Sequence, residues 1–99
     1  MSGRLIWDEA KRRANLSKHG LDFADATWVL ESEIRMDVPD DTSGEVRIRS
    51  FAYVYVRLKA LMVVHVERGD DTQIVSFRAA STEERNLYYE WLETDDDAS

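Results

Sequence analysis

Lys11, Asn15, Lys18 and His19 put two cations, an amide and an imidazole on one short stretch, "KRRANLSKH". At about 100° per residue, a helix gathers Lys11, Asn15 and Lys18 into one polar arc, with His19 further round. Cations can hold a phosphate there, and histidine can move a proton near neutral pH. The bland alternative is a solvated helix face whose last-turn cations are stabilised by unpaired carbonyls. Arg12 and Arg13 fit that alternative better, while for Lys18 and His19 both readings stay open.

A second set lies in "RIRSFAYVYVR". Strand alternation puts Val46, Ile48, Ala52, Val54 and Val56 on a core face and Arg47, Arg49, Phe51, Tyr53, Tyr55 and Arg57 on the other. Arginines interleaved with rings suit single-stranded RNA, since rings stack on bases and guanidiniums hold phosphates. Aromatics covering a second sheet face beneath a helix would look the same. Arg78 ends an apolar strand, where it can grip a phosphate with two N–H groups or pair with Glu83 or Glu84. Glu84 reads as a helix cap before it reads as a base. Tyr88 and Tyr89 divide between packing and surface, and His65, inside "LMVVHVE", reads as a core histidine.

The elements that must position these residues follow from the local pattern. "RLIW" reads as a short edge strand. Asp8 caps a helix "EAKRRANLSKH" that Gly20 ends, because glycine takes the left-handed conformation without strain. Asp22 caps a second helix, "FADATWVLES". Pro39 with "DDTSG" reads as a turn, and "EVRIRSFAYVYV", "ALMVVHVE" and "TQIVSF" read as strands, with "RGDD" a hairpin turn. "STEE" is a capping box opening a last helix, with Leu87, Trp91 and Tyr88 toward the sheet. The expected architecture is α+β, with the helices on one face of an antiparallel meander. A single domain is expected over 1–94, with a frayed acidic tail at 95–99.

The chain carries 20 acidic and 13 basic residues, net −7, which as a total argues against nucleic acid. The charges alternate in blocks, however. Residues 1–20 hold five basic and two acidic groups, and 46–69 hold five and one. Residues 21–45 hold one against eight, and 70–99 two against nine. The two basic blocks can form one positive face. With no cysteine and two histidines, neither disulfide nor transition-metal ligand set is available, and no metal or cofactor is expected. No stretch reads as a signal peptide or membrane span, so a cytoplasmic protein is expected.

Three blocks in order resemble the BrnT-type toxins of bacterial type II toxin–antitoxin systems. "IWDEAKRRANLSKHGLDFADA" matches a W-D-x-x-K, N, K-H-G, F-x-x-A pattern at Trp7, Asp8, Lys11, Asn15, Lys18, His19, Gly20, Phe23 and Ala26. "GEVRI" is similar to a G-E-x-R strand entry that places Arg47. "IVSFRAASTEERNLYYE" is similar to a third block at Ser76, Arg78, Ala80, Ser81, Glu84, Arg85 and Tyr88, departing from the pattern's small residue at Phe77. The resemblance implies a RelE-like fold, with N-terminal helices on a small antiparallel sheet and a C-terminal helix. It implies a metal-independent endoribonuclease that arrests growth. A cognate antitoxin of ribbon-helix-helix type would neutralise it, and the pair would reach operator DNA only through that antitoxin. On this reading His19, Arg47, Arg78 and Tyr88 are the catalytic candidates. Lys11, Lys18, Arg49 and Tyr53 are the RNA-binding ones. The competing expectation is an inactive protein-binding module that pairs with a transcriptional regulator.

Overall fold

Asp8 starts the first helix as its pattern requires: its Oδ1 accepts the N–H groups of Ala10 (2.9 Å) and Lys11 (3.2 Å). Gly20 ends it at φ 71°, with its N–H on the Leu16 carbonyl at 2.8 Å. In the computed structural model, residues 3–41 and 44–98 are described, with side chains described as far as Thr94. The elements are β1 (Leu5–Ile6), α1 (Glu9–His19), a 3₁₀ turn (Phe23–Ala26) and α2 (Thr27–Leu30). They continue as β2 (Met36–Asp40), β3 (Arg47–Val54), β4 (Lys59–Arg68), β5 (Asp71–Ala79) and α3 (Thr82–Ala98). The α+β class is as expected. Among the described residues no helix is long and apolar enough to cross a membrane.

The sheet runs β1-β5-β4-β3-β2. β2 to β5 form the antiparallel meander, but β1 lies parallel to β5, with Leu5 opposite Thr72, so the sheet is mixed. The helices also do not share one face. Phe23, Ala26 and Val29 pack with Ala52, Val54, Leu61, Val63, Ile74 and Phe77 on one side. Tyr88, Trp91 and Leu92 cover Phe51, Ala60 and Met62 on the other. Alternation forces this two-sided solution, because both faces of β3 and β4 are apolar along half their length and each needs a cover. Phe77 is fully buried on the α2 side, so its departure from the family pattern sits in the core.

Other expectations need correction. The second helix is broken into a 3₁₀ turn and one α turn, in keeping with Thr27, Trp28 and Val29 being weak helix formers. β3 stops at Val54, whose carbonyl takes the N–H groups of Arg57 (3.0 Å) and Leu58 (2.8 Å), so Tyr55 and Val56 are exposed in a turn. Pro39 lies inside β2, an edge strand, where a missing N–H is tolerated. Part of the turn expected after it, residues 42–43, lies outside the described residues, as do the side chains of the expected tail at 95–99. Leu87 is 60% exposed; Tyr88 takes the position under the helix.

Two buried polar devices hold the layers. Asn15 donates through Nδ2 to the Phe77 carbonyl (2.8 Å) and the Leu21 carbonyl (2.9 Å), and its Oδ1 accepts the Phe77 N–H (3.1 Å). One amide thereby pairs with the open edge of β5 as a neighbouring strand would. The other device is a chain of polar groups crossing the α2 side of the sheet. Glu67 Oε2 meets His65 Nδ1 (2.9 Å), His65 Nε2 meets Ser50 Oγ (2.8 Å), and Ser50 Oγ donates to Asp37 Oδ1 (2.6 Å). Burial pushes His65 below its ordinary value, against the pull of Glu67.

Asn15→Ala strips both backbone partners from Phe77 in a buried setting, at about 1–3 kcal/mol for each unsatisfied group. Its thermal midpoint, followed by circular dichroism, should fall by roughly 10 °C or more; an unchanged midpoint would refute the edge-sealing role. For His65 the unfolded chain takes a proton near pH 6.5, whereas the folded chain resists until lower pH. The stability this gives is present above about pH 6.5 and is lost as pH falls through the folded value. Melting scans from pH 7 to 5 should therefore slope downward, and the slope should flatten in His65→Gln.

Candidate functional site

The face of the sheet beside the start of α3 collects the arginines. Arg49 pairs across with Val64 and Val64 with Ser76, while Phe51 pairs with Met62 and Met62 with Arg78. Arg49 and Arg78 thus stand on the same face, two strands apart, or about 10 Å between strand axes. Arg47 lies two residues along β3 from Arg49, opposite Asp40 on β2. Long side chains close the remaining gap around one carboxylate, Glu84, in the first turn of α3.

Glu84 is held from two directions. Arg78 donates through Nη1 to Oε1 and through Nη2 to Oε2, both at 2.9 Å. The Ser81 N–H donates to Oε1 (2.8 Å), and the Glu84 N–H returns to Ser81 Oγ (3.2 Å), completing the capping box. Arg49 Nη1 stands 3.7 Å from Oε2. Hydrogen bonds from Arg78 lead the effects that hold the Glu84 carboxyl at about 2, against the opposing effect of burial. A carboxylate so acidic is a poor proton acceptor at neutral pH.

Arg47 and Arg49 add a second feature. The Nε atom of each is buried and has no hydrogen-bond partner among the described residues. An unmatched buried donor on a charged group is costly, and since neither Nε is open to solvent, a ligand would meet the exposed parts of these side chains, as at Arg49, whose side chain is 37% exposed. Arg49 and Arg78 share the Glu84 carboxylate, while Arg47 stands on the same face opposite Asp40.

The flank of the cluster is set by α1. From Asn15, which points at the β5 edge, Arg12 lies about 60° and His19 about 40° round one way, and Lys11 about 40° and Lys18 about 60° the other. Arg12 pairs with Asp22 at 3.1 Å, just ahead of the 3₁₀ turn, so its flank is the α2 side of the sheet. Lys11 and Lys18, both exposed, therefore take the flank toward the α3 side. His19 is half-buried on the Arg12 flank, and no hydrogen bond or ion pair among the described residues links it to the arginines.

The two tyrosines stand apart from the cluster. Tyr88 is fully buried; its hydroxyl donates to the Ile34 carbonyl (2.7 Å) and accepts the Tyr53 N–H (3.0 Å). Burial pushes that phenol above its ordinary value. Tyr53, half-buried, sits edge-on to Tyr55 with ring centroids 5.1 Å apart. It lies about 13 Å along β3 from Arg49. The structure joins Arg49 and Arg78 at Glu84, with Arg47 on the same sheet face two residues from Arg49; Lys11 and Lys18 are exposed on α1, and neither His19 nor Tyr53 joins the arginines. The Arg78–Glu84 pair and the Glu84 cap were both among the expectations; that the same carboxylate also meets Arg49 was not, and no local spacing signals it.

The fold and this face define a small α+β protein with arginines gathered on one side of its sheet. Residues 7–84 match the family described as ribonuclease toxin, BrnT, of type II toxin-antitoxin system, and the chain belongs to it. It is thus a type II toxin of a ribonuclease family, with RNA as substrate and an antitoxin as partner. No individual curated protein matches it.

Removing Arg78 should release Glu84. In Arg78→Ala the Glu84 carboxyl should titrate well above about 2, toward the ordinary carboxylate range, when followed by carbon-detected NMR. The stability that Glu84 contributes is present above the ordinary carboxylate value and lost as pH falls toward about 2, so acid unfolding of this variant should be less steep.

Proposed function

We propose that the toxin is a metal-independent endoribonuclease that cuts by attack of a ribose 2′-OH on the adjacent phosphorus. The 2′-oxygen bonds to phosphorus, the bond to the 5′-oxygen breaks, and the products are a 2′,3′-cyclic phosphate and a 5′-hydroxyl. One group takes the 2′-OH proton and another delivers a proton to the 5′-oxygen. The observation that supports this is the arginine face, on which Glu84 fixes Arg78 with Arg49 beside it. Donors fixed before the phosphate arrives stabilise the extra negative charge of the transition state without reorganising.

Arg47 and Arg78 carry that charge, and Arg49 binds beside them. Lys11 and Lys18 hold the flanking RNA backbone. His19 carries the proton-transfer part of this reading on its place in the K-H-G block alone, since it stands on the other flank of α1 from the arginines. Tyr88 and Tyr53 act by fixing α3 on the sheet rather than by touching the reacting atoms. The partner is a ribbon-helix-helix antitoxin that blocks the toxin in the cytoplasm and carries the pair to operator DNA.

Antitoxin-free protein should cleave long single-stranded RNA in excess EDTA. Arg47→Ala and Arg78→Ala should each lose about 10²-fold or more in rate, and His19→Ala should lose the neutral limb of the pH–rate profile. Full activity in all three variants would sink the assignment. Lys18→Ala should weaken RNA binding and lower the slope of log affinity against log salt by about 0.7, the share of one single-strand phosphate contact.

A further inference from the structure

Glu84 occupies only part of the Arg78 guanidinium. It takes one N–H from each terminal nitrogen, and the second Nη1–H goes to the Ala79 carbonyl at 3.0 Å. These bonds do not use Nε–H or the second Nη2–H, which together form the other two-pronged edge of the same plane. Arg49, 3.7 Å from the same carboxylate, also keeps its Nε–H unmatched. The carboxylate is itself anchored to the Ser81 N–H, so it cannot drift with the arginines.

We propose that Glu84 is a positioning residue for RNA cleavage: it clamps one edge of Arg78 so that the opposite edge, beside Arg49, faces the scissile phosphate. This rests on the reading of the arginine cluster as the cleavage site. A free arginine side chain samples many rotamers, and ordering it at the moment of reaction costs entropy. Glu84 meets that cost during folding. Its single negative charge also offsets repulsion between Arg49 and Arg78 while leaving that pair cationic. The same carboxylate repels the RNA backbone slightly, so the proposal has a kinetic signature: orientation gained at some expense in binding.

The test is steady-state cleavage of a labelled single-stranded RNA in excess EDTA by the parent, Glu84→Gln, Glu84→Asp and Ser81→Ala, each checked for folding by circular dichroism. Glu84→Gln keeps the shape and an acceptor for the Ser81 N–H but loses the charge-assisted grip. Its kcat should fall about tenfold or more while KM stays level or drops. Ser81→Ala removes the hydroxyl cap and keeps the clamp, so it should melt lower with kcat within about twofold of the parent. Should Glu84→Gln fail to fold, Glu84→Asp retains the charge at shorter reach and should show a smaller fall in kcat. In an Arg78→Ala background Glu84→Gln should have no further effect on kcat, because the two side chains act as one unit. An unchanged kcat, a rise in kcat/KM, or an equal loss in the Arg78→Ala background would overturn the positioning role. An inactive, folded parent would instead overturn the cleavage reading and the proposal with it.

Discussion

Three guanidiniums on one face of a small sheet repel one another, and the end of the molecule at α3 is organised around containing them. Glu84 does so from a position where it also caps a helix. Its carboxylate joins the Arg78 fork, the Arg49 side chain and the Ser81 N–H. Helix start, strand end and arginine orientation become one mechanical unit. The depressed Glu84 carboxyl is the electrostatic record of that arrangement. Arg47, on the same face, stands opposite a second carboxylate, Asp40.

The other half of the arrangement is the edge of β5. Asn15 closes it with three hydrogen bonds and so fixes which flank of α1 turns to which face of the sheet. The two lysines fall on the arginine side, and Arg12 falls on the other, bonded to Asp22. Net charge is −7, yet three arginines share one face of the sheet, with Glu84 and Asp40 as acidic residues set beside them.

Much of this was legible in the sequence. Caps at Asp8, Gly20 and Ser81 are local, and local chemistry decides them. Strand alternation placed Arg47 and Arg49 on one face, and the family blocks singled out Arg78. What failed to show was long-range. The alternation of β3 left open whether a helix covers its arginine face, and the long-range packing decides it: Phe51 is buried and Tyr53 packs under α3. Tyr88 read as a proton carrier, yet its hydroxyl bonds to backbone at Ile34 and Tyr53, residues far away in sequence. Asn15 read as one member of a polar arc, and its partner Phe77 lies across the domain. Buried hydrogen bonds between distant segments leave no periodic trace, so the structure had to supply them.

The central claim is that the arginine face of the sheet, Arg47, Arg49 and Arg78, binds an RNA phosphate. It is tested most directly by nitrogen-15 NMR of the arginine Nε–H resonances while a single-stranded RNA with 2′-O-methyl riboses, unable to react, is added. The account expects the Arg47 and Arg49 signals to shift and exchange more slowly with water as the RNA binds. Bound RNA that leaves both signals unmoved would contradict it.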